Sequence, residues 1–448
     1  MGKSRKCKHH LKVIHINERK LVMLDIKGKK LLILGGTALS CEIIKQAKSK
    51  GAYVMVTDYL EDSPGKKIAD KSFMVNITDV DAVVELIRNE KVDGVLTGFI
   101  DSTLPYYQQI CEKAGLHCYA TKEQIEIATN KSKFKQLCRE YNVPVVEEYK
   151  IDKSFRPEDL KDIKFPVLLK PVDNSGGRGI YICENINDFL INYEKALSFS
   201  PSKQVLVERY MSGKEVTIFY TIQDGEIYLT AMADRHTKNK QGGIIPLPVA
   251  YIFPSNHLKT YQESLNEKVR EMFKSIGIKN GMIFIQSFVE NGECIFYEMG
   301  FRLEGSLEYK ITAKTDGINP MEMMVNYALK GKMNETDIKR DVNPNFKEWG
   351  CNITFLAKPG KIVKIIGIEE VSSFPGIIDV VPAYKEGEVI PETALGTLKQ
   401  VIIRVFAIAE TKQELAAIID KIHNTIKVYS EDGENMLLQT FDTKELFD

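Results

Sequence analysis

The stretch Ile285–Arg302, IQSFVENGECIFYEMGFR, decides how this chain is read. Asn291-Gly292 separates two apolar, β-prone runs, so the segment reads as a hairpin. Gln286 stands on the first arm, and Glu298 and Arg302 stand at the end of the second. A carboxylate on an otherwise apolar strand is expensive to bury without a metal or cation as partner. Oxygen donors beside an arginine suit a hard ion such as Mg²⁺ that also binds substrate phosphates. The hairpin carries a geometric condition. A two-residue turn pairs Glu290 with Glu293 and sets Gln286 opposite Tyr297, so Gln286 and Glu298 would point to opposite faces. Both reach one ion only if the turn is odd-numbered or one strand bulges, and that irregularity is predicted.

A phosphate-binding half lies upstream. Phe165–Ile180, FPVLLKPVDNSGGRGI, places Lys170 in a short apolar run before the loop Asn174-Ser175-Gly176-Gly177-Arg178-Gly179. Closely spaced glycines let backbone N–H groups approach phosphate oxygens, and Arg178 adds fixed charge. No Gly-Lys-Ser/Thr follows, so this is not a Walker A loop. Ile182 stands where the last glycine of a dinucleotide fingerprint belongs. Alone, such a loop is more often a plain hairpin loop, whereas for Lys170, flanked by a proline and apolar residues, a strand-end lysine snorkelling to water is the lesser reading.

Taken together, these pieces resemble the ATP-grasp superfamily, in order and spacing, from about Lys29 to Lys330. Asn130–Val145, NKSKFKQLCREYNVPV, is similar to the start of the nucleotide-binding region in biotin carboxylase and the carbamoyl phosphate synthetase large subunit. The resemblance implies that Lys131 and Lys170 are the two nucleotide-binding lysines. It implies that Ser175, Gly176, Gly177 and Gly179 form a mobile lid over the phosphates. In Val205–Val216, VLVERYMSGKEV, it implies a hinge where Glu208, Tyr210 and Met211 face the adenine through backbone groups, with Glu215 near the ribose. Gln286 and Glu298 match the metal-ligand positions, and Arg302 the arginine that follows. ATP and Mg²⁺ (with Mn²⁺ as a substitute) are the implied cofactors.

The run Glu298-Met299-Gly300-Phe301-Arg302 departs from the superfamily's Glu-x-Asn-x-Arg, since glycine replaces the asparagine that ligates a second metal. Gln286 is neutral where many relatives carry an acid. One Mg²⁺ held by Glu298, and a second held mainly by ATP, is the expectation.

The rest of the chain frames this centre. Its 448 residues are too long for one compact core. The 61 basic residues balance 61 acidic ones, which favours neither nucleic acid nor an anionic membrane as partner. No apolar run approaches the ~20 residues of a membrane span. The 8 cysteines are scattered, without Cys-x-x-Cys or zinc spacing, which fits reduced thiols in a cytoplasm. Residues 1–28 are basic and lack a signal-peptide core; they read as a disordered tail or an extension upstream of Met23, with no metal role for His9 and His10. Residues 29–120 alternate strand and helix around Gly35-Gly36, a Rossmann-like pre-ATP-grasp domain. Asp101, just past a strand end, faces the pocket or caps the helix that follows.

Residues 121–335 are the expected ATP-grasp domain, with its lid over about 150–212. Within it, the segment from Arg235 to Pro254 lacks periodicity and reads as a loop holding Arg235, His236 and Lys238 near the phosphates, where Arg235 would grip a substrate carboxylate; His236 reads equally as a surface histidine. Residues 336–448 form short β-runs and one helix, a C-terminal α/β domain resembling that of the L-amino acid ligases. There Arg404 reads as salt-bridged and structural rather than pocket-facing, and His423 as structural.

The expectation is thus an α/β and α+β multidomain enzyme, an ATP-dependent carboxylate–amine ligase working through an acylphosphate, with Arg302, Lys170 and Arg235 as catalytic residues. Its partners would be a small carboxylate and an amine, with a homodimer compatible. A bicarbonate-activating enzyme and a non-catalytic ATP-binding subunit are the alternatives, Gly300 being the feature that favours the second.

Overall fold

The structure is a computed structural model, and it describes residues 24–151, 154–174, 178–239 and 246–448. The expectations for residues 1–23, His9 and His10 among them, and for Ser175, Gly176 and Gly177 lie outside the described residues.

Near-continuous apolar runs such as KLLIL and YVMVT suit strands buried on both faces. They form a four-stranded parallel sheet in the order Lys71–Phe73, Tyr53–Thr57, Lys30–Leu34, Gly94–Leu96. Helices Ser40–Ser49, Val80–Glu90 and Leu104–Ala114 connect its strands and continue past the last one. At Gly36 a Cβ would stand 2.3 Å from Ser63 Oγ, and Gly65 N–H donates to Gly36 O at 2.7 Å. The chain's own Ser63–Lys67 turn therefore packs on the Gly-Gly turn, which accounts for Gly36 without a dinucleotide, while Gly35 is required by its left-handed backbone at φ +90°. At Gly94 a Cβ would meet Ala328 O at 2.2 Å, so the bare backbone lets helix Pro320–Lys330 lie against this sheet.

Two helices follow. Lys122–Thr129 opens with a Thr121/Gln124 capping box, and Lys131–Glu140 is capped by Asn130, whose Oδ1 accepts from Lys133 N–H at 3.1 Å. Next comes a four-stranded antiparallel sheet in the order Glu148–Tyr149, Val205–Arg209, Val167–Pro171, Tyr181–Cys183. Helix Ile186–Ser198 covers it, and Phe189, Tyr193 and Ala196 bury Val167, Leu169 and Val207 in a small core of their own.

The centre is an eight-stranded antiparallel sheet in the order Glu293–Gly300, Gly281–Glu290, Glu215–Gln223, Glu226–Lys238, Leu247–Phe253, Trp349–Leu356, Val401–Ala409, Ile377–Pro382. Three strands from the last quarter of the chain thus extend the sheet that carries the hairpin. Helix Lys412–Thr425, opened by a Thr411/Glu414 capping box, packs on that extension through Leu415, Ile419 and Ile422.

The hairpin shows the predicted irregularity. Asn291 (φ +52°) and Gly292 (φ +81°) make a two-residue turn pairing Glu290 with Glu293. The register then shifts, so that Ser287 faces Phe296 while Gln286 faces Glu298. Tyr297 is the extra residue of a β-bulge, and it brings both oxygen donors to one face.

The segment from Arg235 onward corrects the loop reading. Arg235, His236 and Lys238 end the long strand Glu226–Lys238, and Leu247–Phe253 pairs back on it. An extended strand alternates its faces, so Arg235 and His236 point apart.

Candidate active site

Cross-strand registers place one row of side chains on a single face of the large sheet. Glu298 lies opposite Gln286, Gln286 opposite Thr217, Arg235 opposite Glu215 and Tyr251, Tyr251 opposite Asn352, and Arg404 opposite Thr354. Over the hairpin end of this face lies a cavity of ≈ 430 Å³. The small sheet supplies Leu168, Lys170, Glu208 and Arg209 to its wall, the hinge Tyr210 and Met211, and the large sheet Glu215, Arg235, Gln286, Phe288 and Glu298. Its apolar lining with a few charged groups is what a nucleotide base and its phosphates require. A second cavity of ≈ 440 Å³ meets the first at Glu298 and is lined by Asp101, Lys131 and Arg178.

The two expected lysines converge here. Lys131 Nζ donates to Asn174 O at 2.6 Å and lies 3.6 Å from Glu298 Oε1. Lys170 is 3% exposed, with its Nζ 2.7 Å from Glu208 Oε2. Glu208 also takes Lys135 at 2.5 Å, so one buried carboxylate stands between two ammonium groups. Burial pulls Lys170 down to about 8; Glu208 opposes the fall, while Lys135 and Lys131 add to it. At Glu208 burial works upward, but Lys170 and Lys135 more than offset it and hold the carboxyl below its ordinary value. Sequence reasoning missed Lys135. Its signal was the spacing Lys131–Lys135, four residues apart on one helical face.

Arg302 is fixed before any substrate arrives. Its Nε and Nη2 donate to Asp101 Oδ1 and Oδ2, each at 2.7 Å, its Nη1 donates to Leu303 O at 3.0 Å, and its guanidinium lies 4.9 Å from the Phe284 ring centre. Burial disfavours the charge, but Asp101, then Glu304 and Glu298, raise Arg302 above its ordinary value. Asp101 therefore faces the pocket and binds Arg302; the helix cap was the other reading. The Phe284 ring also explains Gly300: a Cβ there would stand 2.2 Å from Phe284 Cε1. The ring fills the space into which an asparagine would project.

Glu215 and Arg235 pair with each other, and Tyr297 Oη donates to Glu215 Oε2 at 2.9 Å. Burial opposes the charge on Arg235, yet Glu215, with Tyr297 and Tyr251, holds it well above its ordinary value. His236 and Lys238 turn away to Glu445 near the C-terminus, His236 Nδ1 at 3.1 Å, which corrects their placement beside the phosphates. Gly179, in the left-handed region at φ +77°, packs where a Cβ would meet Phe199 Cβ at 2.6 Å. His423 stacks edge-on to Phe355 at 5.7 Å, in the core, and burial lowers it to about 4.

Arg404 departs from the salt-bridged reading. It is buried, yet among the described residues it has no ion pair, and its Nε has no hydrogen-bond partner.

A cation fits the hairpin pair. Gln286 and Glu298 offer hard oxygen donors side by side, the type Mg²⁺ takes. Among the described residues no three His, Cys, Asp or Glu side chains converge, so further ligands would come from phosphate oxygens.

Comparison with known proteins agrees with this geometry. Residues 130–336 match the family described as "Carbamoyl-phosphate synthase L chain, ATP binding domain". A formate-dependent phosphoribosylglycinamide formyltransferase of Prochlorococcus marinus is 28% identical over 191 residues, which are 41% of this chain and 48% of that protein. The match thus spans about half of that relative's length. Among solved structures, the biotin carboxylase domain dimer of Hydrogenobacter thermophilus 2-oxoglutarate carboxylase, in complex with MgADP, ADP and bicarbonate, aligns with a TM-score of 0.73 at 19% identity, covering 91% of each chain. An L-amino acid ligase from Bacillus licheniformis aligns with a TM-score of 0.72 at 18% identity, covering 90% of this chain and 99% of that one.

Proposed function

We propose that the chain is an ATP-grasp enzyme, an ATP-dependent carboxylate–amine ligase whose nucleotide site lies in the segment 130–336 that matches an ATP-binding domain. The observation that carries this reading is the Gln286–Glu298 pair, brought to one face by the Tyr297 bulge and set beside Lys131. The base would lie against Leu168, Met211 and Phe288, with Lys131 and Lys170 reaching the phosphates. Gln286 and Glu298 would hold Mg²⁺, which supplies positive charge to phosphate oxygens.

In this reading a substrate carboxylate oxygen attacks the γ-phosphorus and the bond to ADP breaks, leaving an acylphosphate. Three N–H groups of Arg302 are committed, two to Asp101 and one to Leu303, which leaves two of its five for developing charge. An amine then attacks the acyl carbon, loses a proton to solvent, and inorganic phosphate leaves. The seven described cysteines are free, which fits a reducing compartment, and a homodimer is proposed alongside, to be tested by light scattering.

The test is Mg²⁺-dependent ADP release from ATP, screened against pooled carboxylates with pooled amines, with Glu298→Ala as control. Release that needs an acid and is lost in Glu298→Ala supports a ligase. Release stimulated by bicarbonate alone replaces it with carboxyphosphate chemistry. Retained turnover in Glu298→Ala defeats the assignment of the hairpin.

A further inference from the structure

A glutamine beside a cation has an orientation to settle. A carboxylate presents either of its oxygens, whereas a carboxamide has one oxygen and one NH₂ group, so Gln286 must be held the right way round. A cation next to Glu298 repels the NH₂ end, which then needs an acceptor on the far side. Groups that hold the other end of a ligand in this way set its orientation and its affinity for the metal.

The strand registers narrow the choice of acceptor. Phe284 and Phe288 flank Gln286 along its own strand, on the same face, and both line the cavity. Across the sheet, Glu298 lies opposite Gln286 on one side and Thr217 lies opposite it on the other. Side chains paired in this way have Cβ atoms only about 5 Å apart. Glu215, diagonal to Gln286, is already taken by Arg235 and by Tyr297 Oη. With Glu298 given to the cation, the directly opposed polar group left for the NH₂ end is the Thr217 hydroxyl.

That hydroxyl is uncommitted. Thr217 is 0% exposed, and among the described residues its Oγ1 has no hydrogen-bond partner. Every position of its strand Glu215–Gln223 is buried, so an unused hydroxyl there is a desolvation cost that valine would avoid. The strand's other threonine does use its hydroxyl: Thr221 Oγ1 donates to Thr230 Oγ1 at 3.3 Å. Native interiors satisfy nearly all such groups, and an exception next to a ligand residue calls for a reason.

We propose that Thr217 is the positioning residue of Gln286: its Oγ1 accepts from the amide Nε2 and so turns Oε1 toward the cation beside Glu298. The inference rests on the ligase reading's placement of Mg²⁺ at the hairpin. It adds what lets a neutral glutamine serve at a position where an acid needs no such support.

The test is titration calorimetry on the full chain with two probes, ADP with Mn²⁺ and ADP without metal, alongside thermal unfolding of the ligand-free protein. Thr217→Val should keep or raise the ligand-free midpoint, because valine fills the same volume and removes an unpartnered buried hydroxyl. It should leave metal-free ADP binding unchanged and weaken Mn²⁺–ADP by ~10-fold, the effect of one buried donor left without an acceptor. Thr217→Ser should restore wild-type affinity. On a Gln286→Glu background Thr217→Val should have no effect, because a carboxylate has no wrong end, and this double-mutant cycle isolates the pair. Undiminished Mn²⁺–ADP binding in Thr217→Val, an equal loss for metal-free ADP, no rescue by serine, or the same loss on Gln286→Glu would each overturn the proposal. Gln286→Ala tells its failure from that of the reading beneath it. If Gln286→Ala binds Mn²⁺–ADP as wild type does, the hairpin is not the cation site and both fall; if it binds weakly while Thr217→Val does not, only the role of Thr217 falls.

Discussion

Nucleotide binding should take up a proton, and the group that receives it is Lys170. In the free protein its ammonium is buried and shares Glu208 with Lys135, which brings it down to about 8. A phosphate beside it adds negative charge and restores the ordinary lysine range. From a value of about 8, roughly one-tenth of Lys170 is neutral at pH 7 and about three-quarters at pH 8.5. MgATP binding should then take up about 0.1 proton at pH 7 and about 0.75 at pH 8.5, and the affinity should fall about fourfold between them, or ~0.8 kcal/mol. Titration calorimetry in two buffers of different ionisation enthalpy reads this uptake directly. Lys170→Met should bind more weakly and without the uptake. No uptake at pH 8.5, or the same uptake in Lys170→Met, would refute the reasoning. Stability follows with a defined sign. The unfolded chain keeps the proton on Lys170 up to about 10.4 while the folded chain releases it from about 8, so the ligand-free fold gains stability as pH rises through that window.

Other perturbations act through named contacts. Glu208→Gln leaves Lys170 buried without a counter-charge and Lys135 with Glu148 alone, 3.1 Å away, and should cost ~3–5 kcal/mol, seen as a fall in the denaturation midpoint. Gly300→Asn should destabilise by ~1–3 kcal/mol, because Phe284 occupies the space, and calorimetry with Mn²⁺ should show no second tight site without ATP. Lys310→Met removes the ammonium that bridges Glu42 and Asp379, each at 2.7 Å, and should lower the thermal midpoint, since buried Glu42 then keeps only the exposed Lys45 as its cation.

Local rules made much of this legible. The Asn291-Gly292 turn and the need for Gln286 and Glu298 on one face together required a bulge, and the register shift at Gln286/Ser287 is that bulge. The parallel strands before residue 100 and the helix after Asn130 followed from period and capping. What stayed hidden were pairings set by the three-dimensional path. Asp101 meets Arg302 across 201 residues and Lys135 meets Glu208 across 73, separations at which no spacing rule operates. Arg235 to Lys238 read as a loop because glycine and proline follow, whereas pairing with strands on both sides overrides that local signal. Arg404 read as salt-bridged because most buried arginines are; only the assembled structure shows that, among the described residues, it has no ion pair and its Nε no hydrogen-bond partner.

The continuity of the large sheet bears on modularity. The matched ATP-binding segment ends at residue 336, yet strand Leu247–Phe253 inside it hydrogen-bonds to Trp349–Leu356 beyond it. Cutting the chain at that point would bare a seven-residue edge of apolar strand, LPVAYIF, a template for aggregation. The matched portion therefore cannot be lifted out as a separate cassette, and an exchange of this segment between relatives would have to carry the last hundred residues along with it.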